Sequence, residues 1–374
     1  MNSKERVMQA IAHKNPDRIP LDIGSINNTC MHITIQKAIK ERLGLPESEP
    51  DVRAYSLGVA VPDESLLQYF GADARSLYFD EVHPWRHDPD EDVYYDQWKL
   101  GYKLNPDGYY YNFAKHPLAD AEEPEDIEAF EFFTPANAML RGLKERIDAF
   151  GGEYCLVLEG FRESCFGLPS ALRGHENFYM DLISDDGMAD ALLDKIVAHF
   201  KRQADFLLDH VGGSVDIVKM ADDLGTQSSL IISPETYRKM IKPRQAELYR
   251  HIKDKCGCKI LLHSCGAISS IIDDLIEIGV DALNPVQVSA EGMEPGYLKK
   301  SFGDRITFWG GGIDTQQVLS FGTTDDVRRE VRKNIELFRD NGGYVFAPVH
   351  NIMPGVPVDN ILAMYDTYRE CAPY

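Results

Sequence analysis

The chain predicts an α/β fold, a (β/α)8 TIM barrel with an N-terminal helix and a β-hairpin insertion, on three observations. From about Cys155 onward one rhythm repeats: an apolar run, a polar tip, a long helical pattern. That is the alternation of a parallel sheet covered by helices. Six such runs, "CLVLEG", "SVDIVKMADD", "KILLHSCG", "VDALNPVQ", "RITFWGGGID" and "GGYVFAPVHN", join two earlier strand candidates to make eight, the number that closes a barrel. No Gly-x-Gly-x-x-Gly follows the first strand, as a dinucleotide-binding open sheet would need, so closure is preferred to a doubly wound sheet.

The elements follow in order. "SKERVMQAIAHKNPDRIPLDIG" reads as an amphipathic helix over 4–13 capped by Ser3, a proline-containing turn, and a first strand through Ile19 to Ile23. "GADARSLYF" supplies the second strand. "DEDVYYDQWKLGYKLNPDGYYYNF" alternates aromatic and polar residues around "NPDG", so residues 82–113 read as inserted antiparallel hairpins. Beyond Cys155, helices are expected in "NFYMDLISDDGMADALLDKIVAHFKRQADFLLDHVG" (177–212), "SPETYRKMIKPRQAELYRHIKDKCG", "SSIIDDLIEIG" and "TTDDVRREVRKNIELFRDNGG". With no Gly/Ser linker or low-complexity segment, residues 1–374 read as a single domain.

Charge narrows the partners. Sixty acidic against 39 basic side chains leave a formal charge of −21, which repels phosphate backbones and anionic lipid. Nucleic-acid and membrane partners are therefore not expected. No apolar run reaches the roughly 18 residues of a membrane span, and the N-terminus lacks a signal-peptide core, so a cytoplasmic location is expected. The seven cysteines are scattered and odd in number, which argues for free thiols or metal ligation over a disulfide framework. Cys256 and Cys258 precede a strand at the face opposite the mouth and read as structural.

The chemistry-bearing residues cluster at strand ends, which in a barrel meet in one mouth. His263 and Cys265 are two apart, so on extended chain they face the same way. Imidazole and thiolate suit zinc, and a catalytic zinc site uses three protein ligands with a fourth position open. His350, just after the last apolar run, is the candidate third ligand. Asp222 and Asp223 end another strand; adjacent side chains point oppositely, so one at most faces the mouth, as an acid, a substrate contact or a partner to a ligating imidazole, unless it is a helix cap. Glu159 reads as a further ligand or general acid, or as a rim residue paired with Arg162. Asn284, Gln287, Arg162 and Asp314 are candidate substrate contacts.

"SKERVMQAIAHKNPDRIPLDIG", "MADDLGTQSSLIISPETYRKMIKPRQAELYRHIK", "LLHSCGAI", "GGIDTQQVL" and "GGYVFAPVHNIMPGVPVDNILAMY" resemble the uroporphyrinogen decarboxylase superfamily, and within it the cobalamin-dependent methyltransferase branch. The resemblance implies a (β/α)8 barrel, zinc on an H-x-C pair plus a cysteine after the last strand, and a corrinoid cofactor on a partner corrinoid protein. His263 and Cys265 match the pair; His350 stands where the branch has cysteine. Neutral imidazole in place of thiolate makes the site less anionic and a stronger Lewis acid. It favours an ether, alcohol or folate-type methyl carrier over a thiol. Where the decarboxylases carry "RQAGRY" this chain reads "DIGSINNTCMH", without an arginine. The expected activity is therefore zinc-dependent methyl transfer between a small methylated substrate and a corrinoid. The alternatives are a decarboxylase or lyase acting on a smaller carboxylic acid, with Arg162 as its basic group, and a non-catalytic corrinoid- or metal-binding accessory protein. The oligomer is not set by sequence, and a homodimer is compatible with it.

Overall fold

The computed structural model describes residues 1–184 and 187–374. Two short antiparallel strands, β1 (Val52–Ala54) and β2 (Val59–Ala60), precede the first strand of the main sheet, β3 (Ala74–Tyr78). The inserted segment folds as a four-stranded antiparallel meander: β4 (Arg86–Asp88), β5 (Val93–Tyr95), β6 (Gly101–Leu104) and β7 (Tyr111–Lys115). It is pinned by aromatic packing, with Trp85 stacked on Tyr102 at 4.6 Å. The remaining strands are β8 (Cys155–Glu159), β9 (Ile217–Ala221), β10 (Lys259–His263), β11 (Ala282–Asn284), β12 (Thr307–Trp309) and β13 (Tyr344–Val345). With β3 they form a curled parallel sheet in the order β13-β12-β11-β10-β9-β8-β3, an α/β TIM-barrel fold.

The continuous apolar runs are explained by burial on both faces. Every residue of β8 and β9 is buried. Alternate residues part into two clusters: Cys155, Val157, Ile217, Leu261, Ala282 and Trp309 fill the inside, while Leu156, Leu158, Val218, Met220, Leu262 and Phe308 meet the helices. This period of two decides which strand-end side chains enter the mouth. Continuing inward positions lead to Glu159, Asp223, His263, Cys265 and Asn284; Asp222 falls on the outward set.

Three sequence expectations need correction. The stretch Ile19–Ile23 is not a regular strand, because Pro20 has no N–H to give to a ladder. It still closes the ring: Phe346 N–H donates to the Pro20 carbonyl (2.8 Å), Asp22 N–H to Phe346 (2.9 Å), and Asp73 N–H to Leu21 (2.8 Å). The first helix spans Ser3–Ile11, capped by Asn2 instead of Ser3, since only Asn2 has glutamate three residues on; Glu5 N–H donates to Asn2 Oδ1 (2.8 Å) and Asn2 N–H to Glu5 Oε2 (3.0 Å). Cys256 and Cys258 are joined in a disulfide across the left-handed Gly257 that ends the preceding helix, while Cys30, Cys155, Cys165, Cys265 and Cys371 are free thiols. The helix expected over 177–212 includes Asp185 and Asp186, outside the described residues; helices His175–Asp181 and Met188–Val211 lie on either side.

The two ends of the ring differ. Val7 and Ile11 of the first helix cap the inner cluster at the strand N-termini. The strand C-termini carry the polar groups.

Candidate metal centre

β10 positions the central imidazole. His263 is in register with Ala221 of β9 and Asn284 of β11, and Ser264 N–H continues the pattern to the Asn284 carbonyl (2.7 Å). The chain therefore stays extended through Cys265, and the two-residue spacing keeps His263 and Cys265 on one face. Gly266 lets the next turn approach another backbone: at φ +90°, a Cβ there would lie 2.4 Å from the Gly225 carbonyl carbon. This contact seats the β10 loop on the β9 loop, and Cys265 N–H donates to Asp223 Oδ1 (2.8 Å).

The structure brings His263, Cys265 and His350 together, one ligand atom from each lying within 4.8 Å of the others. Cys265 Sγ is 3.5 Å from His263 Nε2, and the two imidazole rings are 5.6 Å apart. His263 Nδ1 lies 2.7 Å from Asn284 Oδ1, whose amide nitrogen is held by the Trp309 carbonyl (2.9 Å). The oxygen thus faces the ring, Nδ1 carries the proton, and the Nε2 lone pair points to the cluster. Asn28 Nδ2 sits 3.1 Å from Nε2.

Electrostatics suit a cation. Burial pushes His263 down to about 4, against the pull of Asp223 and with the help of Lys219 and His350, and burial lowers His350 likewise. Both rings are therefore neutral ligands at neutral pH. The Cys265 thiol is pushed up by burial and by the Asp223 and Glu163 carboxylates; a bound cation is what would make it a thiolate. Imidazole, thiol and imidazole with an orienting amide behind one ring is a donor set that fits zinc.

Other expected site residues separate. Asp223 faces the cluster, 3.6 Å from His263 Nε2. Asp222 points outward and fully buried, away from the cluster, accepting from Cys165 and Phe166 N–H (2.9 and 2.7 Å) and Gln245 Nε2 (2.8 Å), and so shapes the loop before helix Gly167–Arg173. Glu159 does not pair with Arg162: it pairs with Arg53, lies 3.5 Å from Lys219 and accepts from Asn27 N–H at 2.8 Å. Although burial pushes it up, Arg53 and Lys219 hold its carboxyl below the usual range, and it stands apart from the His263, Cys265 and His350 group. Arg162 reaches Asp96 (2.7 Å) and the Tyr102 hydroxyl (2.6 Å), joining the barrel to the insertion. Asn284 is likewise a histidine-orienting group. Asp314 Oδ1 accepts from Gln316 N–H (2.7 Å) as a loop former. Gln287 accepts from Gly266 N–H (2.8 Å) and also lines a cleft of about 460 Å³ whose wall includes Cys265 and His350.

Two mouth residues escaped the sequence reading. Glu163, two residues before Cys165 in a loop, is raised to about 7 by burial and by Asp223, which makes it a proton-carrying carboxyl. Asn28 lies in a 3-10 turn shaped by Asp22, which accepts from Ser25 N–H (2.9 Å) and Thr29 Oγ1 (2.8 Å). Nothing in "SINNTC" marks it; Glu163 carried a weak signal as a polar residue just past a strand end.

Comparison with known proteins agrees with this architecture. By sequence the chain is 26% identical over 154 residues to a methylcobamide:CoM methyltransferase of Methanosarcina barkeri, covering 41% of each chain. It is 25% identical over 181 residues to a methylated-thiol--coenzyme M methyltransferase of Methanosarcina mazei, covering 48% of this chain and 43% of that one. It thus spans about two fifths of the length of the curated relatives it matches. A solved methyltransferase from Methanosarcina mazei shares the fold over 99% of both chains, with TM-score 0.67 and 18% identity. The uroporphyrinogen decarboxylase (URO-D) family model matches residues 99–371, and the chain belongs to that family.

Proposed function

We propose that this protein is a zinc-dependent, corrinoid-linked methyltransferase, exchanging a methyl group between a small substrate and a corrinoid carried by a partner protein. The observation that carries the reading is the convergence of His263, Cys265 and His350 ligand atoms within 4.8 Å beside an open cleft. The methyltransferases among its relatives support the reaction class. Zinc bound there would act as a Lewis acid on the substrate heteroatom that keeps or loses the methyl group.

The chain's own residues supply the rest. Asn284 holds His263 in the Nδ1–H tautomer, so Nε2 is available without a rearrangement. Asp223 orients the Cys265 backbone and stands beside His263, where its negative charge balances a cation. Glu163, near neutrality in its titration, can hold or release the proton exchanged with the substrate heteroatom. The decarboxylase alternative lacks its basic group, because Arg162 is engaged by Asp96 and Tyr102.

The test is metal analysis combined with a methyl-transfer assay to added cobalamin. The full chain is expected to take up one zinc ion, and His263→Ala to lose it together with at least ~100-fold of the transfer rate. Transfer that persists in His263→Ala would sink the reading.

A further inference from the structure

We propose that Asn28 is a fourth metal-binding group of this centre, its side-chain amide turning over so that Oδ1 faces the ion as a weak ligand that a substrate can displace. The inference rests on the metal-centre reading and extends it to a residue on the segment that closes the ring.

The contact with His263 is the first observation. Asn28 Nδ2 lies 3.1 Å from His263 Nε2, closer than Cys265 Sγ at 3.5 Å or Asp223 Oδ1 at 3.6 Å. Light donor atoms about 2.0–2.1 Å from a tetrahedral zinc stand about 3.3 Å apart, and a nitrogen and a sulfur about 3.6 Å. The amide is thus spaced from Nε2 as a neighbouring ligand is, and so is the thiol. With His263 Nδ1 facing Asn284 Oδ1 at 2.7 Å, Nε2 is the ring atom that a metal and the Asn28 N–H both use. One lone pair serves only one of them.

The amide oxygen is the second observation. Asn28 is 9% exposed, and its Oδ1 is buried with no hydrogen-bond partner. Among the described residues, the contact with His263 is the only hydrogen bond this amide makes. A half-turn about Cβ–Cγ therefore exchanges its nitrogen and oxygen without breaking any other bond. The turn takes an N–H dipole away from a bound cation and gives a buried, unpaired acceptor a partner. Both changes favour the oxygen once an ion sits on Nε2. The Asp223 carboxylate is less free for that position: it accepts from Cys265 N–H at 2.8 Å and stands outside the set of His263, Cys265 and His350.

The backbone beneath Asn28 is held in place. Asn351, next to His350, donates from its amide nitrogen to the carbonyls of Asn27 and of Cys30, the latter at 3.2 Å. The turn is thereby tied to the loop that carries the third imidazole, and only a side chain has to rotate. A neutral amide oxygen suits zinc less well than imidazole or thiolate does, which keeps the position exchangeable.

The test is zinc affinity, read by competition with a chelating dye at fixed pH, in the full chain and two variants. Asn28→Ala is expected to bind zinc at least ~5-fold more weakly, and Asn28→Asp, which keeps the oxygen and adds a charge, at least ~5-fold more tightly than the parent. The sign is diagnostic, because an amide that only competed for Nε2 would give tighter binding when removed. Asn28→Asp keeps the shape of the side chain, so it decides the matter even where Asn28→Ala does not fold. Cobalt(II) in place of zinc gives a second readout: the visible bands are expected to change in Asn28→Ala while the sulfur-to-metal charge-transfer band from Cys265 persists. Unchanged or tighter zinc binding in Asn28→Ala, unchanged or weaker binding in Asn28→Asp, or an unaltered cobalt spectrum would overturn this inference while the metal centre stands. A parent chain that takes up no zinc would overturn both.

Discussion

The two ends of the barrel use their buried polar groups differently. At the strand N-termini Asp73 is 0% exposed and fully engaged: Arg6 reaches it at 2.6 Å, Arg18 at 2.8 Å, and Leu21 N–H at 2.8 Å. Each oxygen has strong partners, and the cluster ties the first helix, the closing segment and β3 together. At the strand C-termini, two neutral imidazoles and a thiol crowd beside Asp223, and the amide oxygens of Asn28 and Asn351 are buried without partners. The Asp73 network serves the fold, whereas the mouth brings together donors that could hold an ion.

The contrast breaks most sharply at Asp73. Asp73→Ala leaves two guanidinium groups without their shared carboxylate, and is expected to lower unfolding free energy by about 3–5 kcal/mol. Urea denaturation measures this, and zinc uptake per folded molecule should not change. If stability held while zinc uptake fell, the division of labour between the ends would be wrong.

Asn284 sharpens the other side. Asn284→Ala removes the acceptor that sets the His263 tautomer, and a zinc affinity lower by ~10–100-fold is expected, read by competition with a chelating dye. Asn284→Asp, which keeps an acceptor, should recover most of it. An unchanged affinity in the alanine variant would mean that tautomer control at Nδ1 is irrelevant to the centre.

The last comparison is in pH, where the effect of one unit is at the lower end of that range. His263 is depressed to about 4 and His350 is also lowered, so neither ring needs to lose a proton at neutral pH. Only the raised Cys265 thiol does, and zinc affinity should climb about tenfold per pH unit between pH 6 and 8. A slope of two or more would show that a histidine also titrates there. The same depression has a sign for folding. The unfolded imidazole binds a proton below about 6.5 while the folded one resists until about 4. The metal-free chain therefore loses stability as pH falls through that window, and thermal melts between pH 7 and 4 measure the loss.

Much of this was legible in residue order. Alternating apolar runs and helical segments announced strands buried on both faces, and H-S-C at a strand end announced one-face donors, because a period of two is a local property of extended chain. The same period implied that only one of Asp222 and Asp223 could enter the mouth, without saying which. Packing decided for Asp223, since inward parity is set by which face of β9 the Lys242–Cys256 helix covers.

Tertiary structure alone decided the partners of charged groups. Glu159 and Arg162, three residues apart, suggested a pair; the fold gives Glu159 to Arg53 and Arg162 to Asp96, each about 66 to 106 positions away in the chain. Electrostatic pairing depends on distance in space, and a closed barrel brings distant strand ends within a few ångströms. Sequence by itself determined the strand rhythm, the donor types and the charge balance. Which donors meet, which carboxylate faces them, and which amide oxygens are left without a partner follow from ring closure, because only closure removes water from the mouth and sets what replaces it.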